Sequence, residues 1–204
     1  MTEEIRLLKH KIAAYAKELY DRHLTDSAGG NISVRIDDKL YMTPRYGGSW
    51  YHWNLSPEQI LTIDLEGNKL GGDGDVSREA KAHLALLKEF YPDGTAVIHA
   101  HSRHTLVFCA AAKDMPPVLH CTAKFGTIPA IPDEKAHSKE LADAVADGIR
   151  PQKEKIAKGA AAVMAPKHGL FLISKDLDTA FDSVERIDTN AYMILNSGAL
   201  GGLI

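Results

Sequence analysis

The amino-acid sequence predicts an α/β fold in one domain. Three observations lead there: alternating apolar residues mark strands joined by tight turns, apolar residues at helical spacing mark the segments around them, and a length of 204 residues is that of one domain. The whole chain, residues 1–204, is expected to form it. A composition of 45% hydrophobic and 25% charged residues is ordinary for a globular protein, and a formal charge of -3 leaves no basic footprint for nucleic acid. No apolar run is long enough to cross a bilayer, and Met1-Thr2-Glu3-Glu4 lacks the basic start of a signal peptide, so a cytoplasmic location without a membrane partner is expected. Cys109 and Cys121 are too few for a disulfide framework.

Ile5, Leu8, Ile12, Ala16 and Leu19 recur at helical spacing through Leu24, which predicts an opening amphipathic helix. It gives way to Thr25-Asp26-Ser27-Ala28-Gly29-Gly30-Asn31. Such a glycine loop either presents N–H groups to a phosphate or carboxylate or is a plain tight turn. It precedes a strand and lacks the lysine of a nucleotide P-loop, which argues against ATP or NAD. Ile32, Val34 and Ile36 alternate, and Asp37-Asp38 turns into residues 39–43, a hairpin signal. Residues 45–53 gather aromatic rings, an arginine and glycines without a period, as a lid, a contact surface or a cover for the core edge. Ser56-Pro57-Glu58-Gln59 has the form of a capping box, and Leu61, Ile63 and Leu65 form a strand leading into a turn at 66–69.

Ser77 is the expected N-cap of a helix over 77–90, ended by Pro92-Asp93-Gly94. Glu79 and His83 share a face of it, and a glutamate there either complements the helix dipole or borders the strand that follows. That strand, Val97-Ile98-His99-Ala100-His101, puts His99 and His101 on one face, roughly 7 Å apart. The pair is close enough to share one divalent ion, or is simply two polar residues satisfied by hydrogen bonds at a strand end. Residues 105–113 read as a helix, 118–121 and 128–131 as short edge strands, 138–149 as a charged helix and 150–158 as a solvated connector. Strands over 160–165 and 170–173 flank Pro166-Lys167-His168-Gly169. A last helix over 177–196 aligns Ala180, Val184, Ile187, Ala191 and Ile194, before a mobile tail at 198–202.

The order of these pieces is more specific than any one of them. The Gly30-Asn31-x-Ser33-Val34-Arg35 turn and strand, Ser77-x-Glu79 at a helix start, His99-x-His101, and His168-Gly169 between strands together resemble the class II aldolase/adducin family, from residue 19 to residue 195. The resemblance implies a three-layer α/β/α fold with a mainly antiparallel central sheet, assembled as a homotetramer with active sites between subunits. It further implies that His99, His101 and His168 ligate one divalent ion, usually zinc, with a coordination position left open, and that Glu79 is the acid/base. The implied activity is that of a metal-dependent carbon–carbon lyase, foremost an aldolase that cleaves a small sugar phosphate through a zinc-stabilised enediolate. Lys167 beside His168 is not required for it.

Departures from the family's sugar-phosphate aldolases concentrate in the pocket. Ala28 stands in place of a threonine, Arg45-Tyr46 in place of Thr-Gly, and Arg78 in place of a serine, whereas Asn31 and Ser77 are kept. Arginine binds phosphate or carboxylate in bidentate fashion, so a small anionic substrate is expected against Gly30, Asn31, Arg45, Ser77 and Arg78. The family's interfacial tyrosine falls on Cys121 or His120. The two arginines also suit a decarboxylase of a hydroxy or keto acid on the same metal site, with epimerases and dehydratases in the same group. A non-enzymatic adducin-like scaffold is the alternative of another class, but it has no use for His99, His101, His168 and Glu79 together.

Overall fold

Strand pairing starts at a hairpin. β1 (Asn31–Ile36) pairs antiparallel with β2 (Lys39–Met42). Between them Asp37 takes a left-handed conformation (φ 53°), which a short polar side chain tolerates. The chain continues through β3 (Leu61–Asp64) to β4 (Lys69–Gly71), then crosses to β5 (Ala96–Ala100), and closes with a second hairpin of β6 (Ala160–Ala165) and β7 (Gly169–Ser174). The result is a seven-stranded sheet in the order β4-β3-β2-β1-β5-β7-β6, with every neighbouring pair antiparallel. The structure, a computed structural model, describes residues 2–200 and, among these, not the side chain of Leu200; residues 201 and 202 of the expected tail lie outside it.

Helices cover both faces. α1 (Glu3–Asp21), α4 (Thr105–Ala111) and α6 (Leu177–Asn196) pack on one, where Ile12, Phe108, Val184 and Ile187 meet Ile32, Ile98 and Leu172. On the other lie α3 (Ala80–Glu89) and α5 (Lys139–Ile149), where Leu86 and Val145 meet Val97, Phe171 and Ile173. Strand alternation divides these residues between two cores, since successive side chains of one strand point to opposite faces. The three-layer α/β/α arrangement and its antiparallel sheet are those that the family resemblance implies. Among the described residues no helix is long and apolar enough to cross a membrane.

The structure corrects several element boundaries. α1 stops at Asp21, short of Leu24, because His23 turns left-handed (φ 59°). Helix α3 begins at Ala80: Ser77 Oγ accepts the Glu79 N–H at 3.2 Å, so the serine caps a turn that leads into the helix. The expected edge strand at 118–121 is absent, replaced by a 3-10 turn over His120–Phe125, and residues 128–131 contribute only two isolated bridges. Residues 45–53, read as aperiodic, contain the short helix α2 (Gly47–Tyr51), bounded by left-handed Tyr46 and His52. The connector after α5 is also more than solvated chain, since Gln152 donates to the Ala162 carbonyl at 3.1 Å and helps cover the outer edge of β6.

Packing of α6 on the sheet yields a stability prediction. Ile187 is fully buried against that core. Ile187→Ala is expected to cost about 2–5 kcal/mol in chemical denaturation. Thr189→Ala, on the exposed face of the same helix, stays within about 0.5 kcal/mol.

Candidate functional site

One cavity of about 240 Å³ brings together all nine residues singled out from the sequence: Gly30, Asn31, Arg45, Ser77, Arg78, Glu79, His99, His101 and His168. It opens at one end of the sheet's centre. Antiparallel register sets Asn31 of β1 opposite His99 of β5, and His99 opposite Phe171 of β7. His101 follows one residue beyond the end of β5, and His168 tops the turn between β6 and β7. Glu79 arrives from the opposite layer, immediately before α3.

Hydrogen bonds hold two of the three imidazoles, His99 and His101. His99 is fully buried, and its Nδ1–H donates to the Leu170 carbonyl at 2.9 Å. A carbonyl only accepts, so Nδ1 carries the proton and Nε2 keeps a bare lone pair. Burial, with the neighbouring His101 and His168, keeps His99 neutral by pushing its pKa well below the ordinary value. His101 Nδ1 lies 3.2 Å from Asp26 Oδ1, and that oxygen also accepts the Ala28 and Gly29 N–H groups at 2.8 and 2.9 Å. Burial opposes ionisation of Asp26, but His101 and these N–H groups outweigh it and hold the carboxyl below its usual range. Phe171 forms a floor, stacked 4.2 Å under His99 and 5.8 Å from His168.

Two nitrogens are left over. His101 Nε2 and His168 Nε2 are buried without a hydrogen-bond partner. A buried polar atom without a partner costs free energy, and a metal-binding imidazole is one setting in which it has a purpose. The ring centroids of His99 lie 4.9 Å from those of both His101 and His168, and His101 and His168 are 6.1 Å apart. The donor set matches a three-imidazole site, and His99 and His101 each engage the other ring nitrogen with a carbonyl or carboxylate, as ligating imidazoles do. The donor atoms are not yet gathered: His99 and His168 stack nearly parallel, at 11°, and among the described residues no three such groups form a ready-made ligand set. Ring rotation must bring the free nitrogens to a common point. Side-chain torsions that set ring orientation are soft, whereas the burial of these nitrogens is imposed by the sheet.

Glycine makes the approach of these rings possible. A Cβ on Gly29 would stand 2.1 Å from His101 Cε1, and one on Gly169 would stand 2.9 Å from His99 Cε1. The glycine loop before β1 therefore makes room for an imidazole, whatever else its N–H groups meet.

Glu79 is 5% exposed, and its Oε1 stands 3.0 Å from His168 Nε2, though not aligned for a hydrogen bond. Burial raises its pKa, but His168 and His137 outweigh that and hold the carboxyl below the ordinary value. Arg45 lies over the Tyr46 ring at 4.5 Å, with a buried Nε that has no partner. Tyr46 also lines the cavity, whereas His104, His120 and Cys121 do not. Lys167 points outward to Asp133 with its side chain 72% exposed, so it has none of the desolvation that an imine-forming lysine needs. Sequence reasoning missed Asp26 and His137. The Asp-x-x-Gly spacing was a legible signal for the first; nothing local marks the second.

The family described as class II aldolase and adducin N-terminal domain matches residues 10–195. The chain is similar to a 3-oxo-tetronate 4-phosphate decarboxylase of Haemophilus influenzae, at 30% identity over 91% of this chain and 85% of that protein. It is also similar to an L-fuculose phosphate aldolase of the same organism, at 30% identity over 92% of this chain and 82% of that protein. A solved L-fuculose 1-phosphate aldolase shares the fold, with a TM-score of 0.83 and 23% identity over all of this chain and 91% of the other. A match across nearly the whole length, over a sheet that gathers these histidines, makes the chain a member of the class II aldolase/adducin family.

Proposed function

We propose that the chain is a metal-dependent carbon–carbon lyase that cleaves a small phosphorylated hydroxyketone by a retro-aldol reaction, with His99, His101 and His168 as ligands of a zinc ion and Glu79 as acid/base. The observation that carries this is the set of bare or orphaned imidazole nitrogens beside a buried carboxylate in one cavity. The aldolase and the decarboxylase among its relatives agree with the lyase class, and both are named for phosphorylated substrates. An adducin-like scaffold does not account for two orphaned nitrogens.

An ion held by the three imidazoles would supply the electron sink at the substrate carbonyl that such a cleavage needs. The leaving fragment's hydroxyl gives its proton to the Glu79 carboxylate, the electron pair of the breaking bond moves toward that carbonyl, and an aldehyde departs to leave an enediolate. Glu79 delivers a proton to the carbon of the enediolate, and in the condensation direction its carboxylate removes one. The Gly30 and Asn31 segment, Ser77, Arg45 and Arg78 line the wall where the anionic end of the substrate binds.

A decarboxylase is the second reading, favoured by the buried, unpartnered Nε of Arg45, which suits a carboxylate as well as a phosphate. Loss of carbon dioxide from a 3-oxo acid leaves the same kind of enolate, so the two readings share Glu79 and the ligands and differ in the leaving group. The resemblance also supports a homotetramer, and Val107, Tyr192, Met193 and Leu195 are exposed apolar side chains on α4 and α6 suited to subunit contacts.

The deciding experiment combines zinc analysis of the purified protein and of His168→Ala with assays of ketose 1-phosphates for triose phosphate and of phosphorylated 3-oxo acids for carbon dioxide. Triose phosphate release, with zinc bound by the unaltered protein and lost from the variant, is expected; failure to take up added zinc would sink the proposal, and carbon dioxide release would move it to the decarboxylase. Glu79→Gln should retain zinc while kcat falls by roughly a hundredfold or more. Full turnover in that variant would remove Glu79 from the chemistry. Arg45→Ala should raise KM at least roughly tenfold, the effect of one charge-assisted hydrogen bond, with kcat little changed.

A further inference from the structure

The cavity holds one histidine with no assigned part, His137. It lies between β5 and β6 in the chain, far from every recognised motif, and takes a left-handed backbone conformation (φ 68°) that residues with a Cβ seldom adopt. Such strain persists where surrounding contacts impose it. Two contacts do so here, and both lead to the start of α3. The His137 carbonyl accepts Lys81 Nζ at 3.4 Å, and its ring donates from Nδ1 to Glu79 Oε1. Capping of α5 does not need the ring, because Ser138 already accepts the Leu141 N–H at 3.0 Å.

Among the described residues, His137 makes the one aligned hydrogen bond to the Glu79 carboxylate. His168 stands near the same oxygen without alignment. Oε2 is left without a protein partner, on a residue that faces the cavity. A glutamate has three side-chain torsions, and one hydrogen bond to one oxygen selects the rotamer that presents the other.

We propose that His137 is the positioning residue of Glu79: its Nδ1–H holds Oε1 at the cavity wall and so aims Oε2 at the carbon that exchanges a proton. The proposal rests on the acid/base reading of Glu79. It gives that carboxylate an orienting partner of the kind that general bases on other scaffolds use.

The test compares His137→Ala, His137→Asn and His137→Gln in the full-length, zinc-loaded protein. Asparagine places an N–H near the position of Nδ1, whereas glutamine places one near Nε2. The probe is dihydroxyacetone phosphate in deuterated water, with proton NMR following exchange at the carbon next to the carbonyl. The alanine and glutamine variants are expected to lose exchange kcat at least roughly tenfold, with KM little changed, and asparagine to restore most of it. Crystal structures of the alanine and asparagine variants supply a readout independent of turnover: the Glu79 carboxylate should leave its position in the first and keep it in the second. Equal impairment by alanine and asparagine, an effect on KM alone, or an unmoved Glu79 in the alanine variant would each overturn the proposal. If the unaltered protein exchanges no proton with this probe, the acid/base reading fails by that measure, and the position of Glu79 in the two crystal structures decides the contact by itself.

Discussion

The register of β5 between β1 and β7 is the constraint on which the site depends. It places Asn31, His99 and Phe171 side by side at one end of the sheet. Side chains alternate with a period of two, so a slip of one residue would turn both Val97 and His99 into the opposite core and bring Ile98 and Ala100 to the cavity's side of the sheet. Hydrophobic patterning enforces the register from both sides: Ala96, Ile98 and Ala100 belong to one core, and Val97 to the other. The chemistry of the cavity is thus held in place by residues that never touch it.

Charge is arranged around that frame with few free groups. His99 gives its proton to a carbonyl, His101 faces an aspartate already engaged by two backbone N–H groups, and Glu79 is satisfied at one oxygen only. Each contact takes up the atom that faces the protein and leaves the atom that faces the cavity. Buried polar groups are costly unless partnered, so unpartnered ones gathered in one place point to a ligand.

Much of this was legible in the sequence where a local rule applies. The hairpin of β1 and β2, the charged helix over 138–149 and the final helix over 177–196 follow from alternation and helical spacing, and the structure reproduces them. Seven of the cavity residues were legible because they lie in short motifs whose order resembles the family's, and Arg45 and Arg78 because they depart from that pattern. What was not legible depends on tertiary contact. Residues 118–121 read as a short edge strand but meet no partner strand, and the chain turns into a 3-10 segment over His120–Phe125. His137 stands in a stretch without periodicity, and only the packing of α5 beside α3 brings it to Glu79. For Asp26 the Asp-x-x-Gly turn is local and legible, but its contact with His101, 75 residues away, is not.

Gly29 carries a consequence for how this chain can diverge. The His101 ring fills the space where a side chain at position 29 would begin. Any substitution there therefore displaces an imidazole carried by a different strand. The loop and the histidine form one heritable unit: a descendant that gives up His101 is released from glycine at 29, and one that keeps the imidazole is not. A lineage that has drifted into a purely architectural role should show both positions changed together.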